Sequence, residues 1–365
     1  MKRILLLALV LLAACAPQTP TLEAVVVPDA TPTVAAAAPV STPATLTVMT
    51  HDSFAISESV LAAFEQANNI DVTFLAGGDT GSALNKAILS KDAPLADVFY
   101  GVDNTFLSRA LEAGIFEPYE SPMLANVSAE FRLDPQNRAL PVDYGDVCIN
   151  YDKAFFAKND IPIPTTLGDL IRPEYYGLLA VENPATSSPG LAFLLATVAH
   201  FGPENYIGYW KELRANGLVV VNDWETAYYT NFSASSGHGP QPMVVSYATS
   251  PAAEVIYADH PLDEAPTASI LGPDTCFRQI EFVGILAGTG NRAAAEKFVD
   301  FMLSLPFQED VPLQMFVLPV DEQAILPDSF YQFIEFPSQP ATLSPDDIAA
   351  NRERWIEEWT QAVLR

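Results

Sequence analysis

The chain has 365 residues and carries 45 Asp and Glu against 18 Lys and Arg, a formal charge of −27. That length suits about two domains, and the acidic balance argues against a nucleic-acid partner, which would need a basic face. With 49% hydrophobic and 17% charged residues, the composition is that of a protein with a sizeable core rather than a disordered acidic chain.

The first residues set the compartment. Lys2 and Arg3 form a short positive region, and Ile4 to Leu12 an apolar one too short to span a membrane. It ends in Leu12-Ala13-Ala14-Cys15, small residues before a cysteine, which resembles a bacterial lipobox. The expectation is a signal peptide over 1–14 and a lipidated N-terminus at Cys15. Residues 15–44 then read as a tether rich in Pro, Thr and Ala, with Pro17, Pro20, Pro28, Pro32, Pro39 and Pro43 opposing any helix. In polyproline-like geometry such a segment reaches roughly 90 Å.

The body alternates strands and helices. Leu46–Thr50 reads as a buried strand and Ser57–Asn68 as a helix with Val60, Leu61 and Phe64 on one face. Asp71–Leu75 is a second strand, followed by the loop Gly77–Gly81 and a helix to Leu89. Asp97–Tyr100 is a third strand. This order implies a parallel sheet whose carboxyl-end loops are the usual place for ligands. A second α/β unit begins near residue 145, with strands at Asp146–Tyr151, Leu178–Val181, Val219–Val221 and Met243–Tyr247, and an apolar helix over Leu191–Phe201. Pro189 suits the first turn of that helix and Ser187 or Ser188 its N-cap. A late strand over Glu281–Ala287 and a helix over Arg292–Leu305 complete the pattern. The chain crosses between units near 141–145 and 275–285. The predicted fold is therefore an α/β, two-lobed clamshell, with lobe 1 over 45–142 and 283–340, lobe 2 over 143–282, and a C-terminal helix over 341–365.

Seven motifs stand in register with one family: Leu46-Thr-Val-Met-Thr-His-Asp-Ser-Phe54, Ala96-Asp-Val-Phe-Tyr-Gly-Val-Asp-Asn104, Pro141-Val-Asp-Tyr-Gly145, Asn183-Pro-Ala-Thr-Ser-Ser-Pro-Gly190, Asp223-Trp-Glu-Thr-Ala-Tyr228, Ser246-Tyr-Ala-Thr-Ser-Pro251 and Arg352-Glu-Arg-Trp-Ile-Glu-Glu-Trp359. Over residues 45–365 the chain resembles the periplasmic thiamine-binding proteins of ABC importers, within the type II solute-binding proteins. The resemblance implies a monomeric receptor that closes its lobes on thiamine or a thiamine phosphate and delivers it to a membrane permease, with no cofactor, no metal and no catalysis. The chain departs from the family pattern at His51, Ala185, Ala253 and Phe316, and in Asn231–Pro242, which thins the expected aromatic cage.

Thiamine carries a fixed positive charge, so its pocket needs aromatic faces, carboxylates and hydroxyl or amide groups. The expected wall is Trp224 and Tyr247, with Ser250 just beyond the strand. Asp52 or Asp103, each following a strand, is the expected counter-charge. Asp79, Thr80, Gly81 and Ser82 form a Gly-containing loop entering a helix, which can hold an alcohol or an anion, and Thr186 and Ser187 would act likewise from the other lobe. Simple helix capping also accounts for Asp52, Asp79, Asp103 and Ser187.

Cys148 and Cys276 lie in or beside strands at the two crossings, and an extracytoplasmic compartment permits a disulfide between them. Two buried thiols are the alternative. Other solutes are the main functional rival: organic cations such as polyamines, or ferric iron, for which paired tyrosines occur at Tyr175-Tyr176 and Tyr228-Tyr229, both compatible with packing roles. An extracytoplasmic hydrolase has less support. His51, His200, His238 and His260 show no zinc-ligand spacing, and no G-x-S-x-G elbow is present.

Overall fold

The computed structural model describes residues 42–236 and 238–365. The predicted lipobox, Cys15 and nearly all of the tether lie outside the described residues, as does Gly237.

The strands are β1 (Ala44–Thr50), β2 (Ile70–Ala76), β3 (Val98–Asp103), β4 (Phe116–Glu117), β5 (Leu140–Asp152), β6 (Leu179–Glu182), β7 (Val219–Val221), β8 (Met243–Tyr247), β9 (Thr267–Ile270), β10 (Phe277–Leu286) and β11 (Leu318–Pro319). They form one sheet in the order β2-β1-β3-β10-β5-β8-β6-β7, with β4 on β10 and β9 and β11 on β5. The two ends are parallel, β2-β1-β3 and β8-β6-β7, as expected where each strand is followed by a helix. The middle is antiparallel, because β5 and β10 run in opposite senses between the ends. This is the two-lobed α/β clamshell, and β5 and β10 are its crossings.

The first crossing differs from its sequence reading. Pro141 to Gly145 carries two residues that ordinarily interrupt strands, and the strand was placed from Asp146. It begins instead at Leu140 and runs thirteen residues. Tertiary pairing overrides local preference here. A register shift between Glu281 and Phe282 leaves Val142 unpaired on the β5 side, and Pro141 is accommodated next to that bulge. A second shift, between Phe282 and Val283, bulges β3 at Gly101.

Each end buries its helices against the sheet. The helix Ser188–Phe201 is buried along nearly its whole first three turns, which explains why its sequence is apolar without a polar stripe. Trp210 meets Phe193 and Trp359 edge-to-face at 5.5 Å each, so the C-terminal helix Pro345–Trp359 is packed into the core rather than hanging free. A disulfide joins Cys148 to Cys276, with Cα atoms 4.3 Å apart, beside the paired residues Val147 and Phe277. Among the described residues no helix is long and apolar enough to cross a membrane.

Candidate functional site

A cavity of about 650 Å³, counting its open mouth, lies where the two ends of the sheet face each other. One side is supplied by the segment after β1 (His51, Ser53) and the start of the helix Thr80–Leu89. The other is supplied by the start of the helix Ser188–Phe201, the Trp224–Tyr229 segment, and Tyr247 with Ser250 after β8. Glu281 of β10 and the segment Met315–Val317 complete it.

Trp224 is the centre of the aromatic wall. Asp223 precedes it as an N-cap, accepting from the Thr226 amide at 2.7 Å, and this turn fixes the Trp224 backbone. The indole Nε1–H donates to Ser246 Oγ at 3.0 Å. The indole stacks on Tyr228 with centroids 5.1 Å apart and planes 16° from parallel, and meets Tyr229 edge-on at 5.4 Å. Tyr247 stands 6.4 Å away, its hydroxyl donating to Gln279 Oε1 at 2.8 Å. Phe316 adds a further ring to the lining. It holds a left-handed backbone (φ 55°), with its carbonyl bonded by Thr249 Oγ1, a conformation rarely adopted by a bulky residue and often found at functional sites.

The carboxylates of the cavity are Asp79 and Glu281. Asp79 caps the helix Thr80–Leu89, accepting from the Thr80 amide at 2.6 Å, and its other oxygen accepts from the Trp224 amide at 3.1 Å. Burial raises its carboxyl above the ordinary range despite those donors. Glu281 lies 3.6 Å from His51 Nε2. Burial depresses the His51 imidazole, but the charge of Glu281, followed by those of Asp79 and Asp52, outweighs it, so the net shift is upward. Gly101 makes room for that ring. Its φ is +109°, and a Cβ there would fall 2.5 Å from His51 Cδ2.

Behind the cavity, at the crossing strands, lies a buried acidic group. Tyr100 Oη is 2.6 Å from Asp143 Oδ2 and 2.8 Å from Glu281 Oε2. A hydroxyl has one proton to give, so one of the two carboxyls must carry a proton of its own. Burial, then the charge of Glu281, drives Asp143 well above the carboxylate range. Asp103 is fully buried, and burial pushes it up to about 8.

The sequence-predicted residues divide accordingly. Asp79, Thr80, Trp224, Tyr247 and Ser250 line the cavity together. Gly81, Ser82, Thr186 and Ser187 do not. Gly81 N–H donates to the Thr186 carbonyl at 3.0 Å, which places both in the seam beside the cavity. Ser82 sits on the first turn of its helix, and Ser187 occupies an N-cap position. Neither Asp52 nor Asp103 lines the cavity. Asp52 accepts from the Gly78 amide at 2.8 Å, and Asp103 accepts from Thr105 Oγ1 at 2.8 and 2.9 Å. Asp103 is used for local capping and Asp52 ties the loop after β1 to the loop after β2, and Asp79 and Glu281 stand where a counter-charge was expected. The Tyr228-Tyr229 pair, read as packing, lines the cavity, so the cage is fuller than the sequence suggested. Tyr175 and Tyr176 lie elsewhere, on the turn Pro173–Tyr175 and just after it.

Residues 93–332 match the family model described as bacterial extracellular solute-binding protein. The chain is 31% identical over 334 residues to the thiamine-binding periplasmic protein of Salmonella typhimurium, an alignment covering 90% of this chain and 96% of that one. Identity to the thiamine-binding periplasmic protein of Escherichia coli K12 is 30%, with coverage of 90% and 96%. A solved periplasmic thiamin binding protein superposes with a TM-score of 0.75 at 28% identity, covering 88% of this chain and 97% of that chain.

Proposed function

Because the chain belongs to the bacterial extracellular solute-binding proteins, we propose that it captures thiamine or a thiamine phosphate in the cavity between its lobes. As a member of that family it is a receptor, not an enzyme. It works outside the cytoplasm and hands a small solute to an ABC permease.

The observation that carries the ligand reading is the wall of Trp224, Tyr228 and Tyr247 facing the carboxylates of Asp79 and Glu281. A flat heteroaromatic cation needs both, ring faces for stacking and cation–π attraction and carboxylates for charge. Two names of similar proteins point the same way. Ferric iron has one feature in its favour, the Tyr228-Tyr229 pair in the cavity. However, the Tyr228 hydroxyl donates to Glu254 Oε1 at 2.6 Å, and burial holds its phenol well above the ordinary range. A phenol kept neutral in this way is a poor ferric ligand.

We assign lobe 1 to 45–142 with 283–340, lobe 2 to 143–282, the C-terminal helix to 341–365, and the lipid anchor to Cys15, with 15–44 as tether. N-terminal mass analysis of the membrane-extracted protein should find a diacylated cysteine at position 15, and an unmodified Cys15 would refute the anchor. For the ligand, native mass spectrometry of the purified protein should show thiamine-sized mass carried through purification. Thermal stabilisation by thiamine, but not by putrescine or ferric citrate, should accompany it. Stabilisation by putrescine or iron alone would reverse the assignment.

A further inference from the structure

Among the described residues, no Lys or Arg lines the cavity, and His51 is the one lining side chain that can carry positive charge. Its Nε2 is buried, has no hydrogen-bond partner among them, and lies 3.6 Å from Glu281 Oε2. At that distance the attraction is between charges rather than through a hydrogen bond. The charged groups that act on the ring are acidic: Glu281 of β10, Asp79 before the helix Thr80–Leu89, Asp52 in the same loop, and Glu225 of the Trp224–Tyr229 segment. The Tyr100 ring of β3 packs against it with centroids 5.5 Å apart, next to the space that Gly101 leaves open.

Glu281 is the cavity carboxylate with capacity left for a second cation. Asp79 gives both of its oxygens to backbone amides, those of Thr80 and Trp224. Glu281 Oε2 receives the Tyr100 hydroxyl at 2.8 Å, whereas the contact of Oε1 with Gln279 Nε2 is long, at 3.4 Å. Asp143, which shares that hydroxyl, is fully buried and keeps the extra proton of the pair, so the negative charge lies on Glu281, toward the cavity. Asp103 and Tyr247 are the other titratable groups acting with Glu281, and neither is a cation. A positive charge held by Coulomb attraction, with no directional bond, is one that another cation can replace.

Resting on the ligand reading above, we infer that His51 is the residue that selects for ligand charge: its imidazolium is the resident cation of the free cavity, the fixed positive charge of the ligand replaces it at Glu281, and His51 gives up its proton to solvent as the ligand binds. A ligand of the same shape without the charge finds Glu281 already paired with His51 and gains nothing from it. Burial lowers the imidazole, but the neighbouring acids, Glu281 first, outweigh it, so in the free protein it titrates above its ordinary 6.5. The free protein then holds a proton that the complex has lost. By linkage, affinity rises with pH while His51 titrates and is flat above that range.

Calorimetric titration of the full chain, freed of ligand, with thiamine in buffers of different ionisation enthalpy at about pH 6.5 counts the protons. The expected result is a release of at least about 0.3 proton per thiamine, with affinity rising between about pH 6 and 8 by no more than tenfold per unit. An analogue whose thiazolium is replaced by a neutral thiophene ring should bind at least tenfold more weakly and release none. His51→Gln should bind thiamine without proton release and with an affinity independent of pH. In the wild type, 15N spectra of the four imidazoles should show His51, the one that lines the cavity, pass from charged to neutral on binding. A smaller release by the wild type, or an equal release with the neutral analogue, would overturn the inference and leave the ligand reading standing. Undiminished release in His51→Gln, or a His51 resonance that stays charged, would overturn the assignment to His51. Failure of thiamine to bind the wild type would overturn the ligand reading itself, and the inference with it.

Discussion

The backbone amide of Trp224 donates to the Asp79 carboxylate at 3.1 Å, joining the segment after β7 to the segment after β2 from opposite ends of the sheet. The same seam holds the Gly81 amide to the Thr186 carbonyl at 3.0 Å. These bonds bridge the two ends of the sheet directly beside the cavity.

Gly81 is where the two sides come closest. A Cβ at this position would fall 2.8 Å from the Ala185 carbonyl oxygen and 2.9 Å from that of Thr186. Alanine itself suits a first helical turn. Gly81→Ala should therefore spare the stability of the unliganded protein and oppose closure, weakening ligand binding by tenfold or more. Titration calorimetry with a parallel thermal melt checks this, and unaltered affinity would remove Gly81 from the seam.

Asp103 sets a pH dependence of stability. Its carboxyl is held at about 8 in the folded protein against 3.8 as the ordinary value. Between those two values the folded state keeps a proton that the unfolded state has lost. Stability from this group therefore falls as pH rises from about 4 to 8, by about 1.4 kcal/mol per unit at most, and is flat above. Asp103→Asn, which keeps an acceptor for Thr105 and cannot titrate, should flatten the curve between pH 5 and 8. Parallel curves for variant and wild type would contradict the assignment.

The Cys148–Cys276 disulfide ties β5 to the residue just before β10, at a sequence separation of 128. Joining positions so distant in sequence constrains the unfolded chain. Replacing both cysteines by serine should cost about 2–5 kcal/mol, seen as a lower melting temperature that reductant no longer changes. If reductant leaves the wild-type melt untouched, the bridge contributes nothing to stability.

Much of this architecture was legible in the sequence, for identifiable reasons. Leu46–Thr50 and Met243–Tyr247 are short apolar runs followed by polar loops, and both are strands that deliver residues to the cavity. Trp224 was legible mainly through the motif Asp223-Trp-Glu-Thr-Ala-Tyr228 that carries the family resemblance, and Tyr247 because it ends a strand just before Ser250-Pro251; packing was the rival role for both. Glu281 was not singled out, although a carboxylate inside an apolar strand, Ile280–Leu286, is itself a signal, since buried charges need partners. Tyr228 and Tyr229 were ambiguous because packing and lining roles share the same spacing. Phe316 depends on a left-handed backbone that no sequence pattern announces. Asp52 and Asp103 had the right address after strands, but Asp103 is taken up by its own turn and Asp52 by an amide 26 residues away, a partner that no local pattern shows.

The most direct test of the central claim is calorimetric titration of thiamine into the wild-type protein, Trp224→Ala and Ser128→Ala. Ser128 precedes a short turn away from the cavity and serves as the control. The account predicts one site in the wild type, the same affinity in Ser128→Ala, and a loss of more than tenfold in Trp224→Ala, since a desolvated cation–π contact is worth about 2 kcal/mol and about 1.4 kcal/mol is one decade. Full thiamine affinity in Trp224→Ala, or none in the wild type, would contradict it.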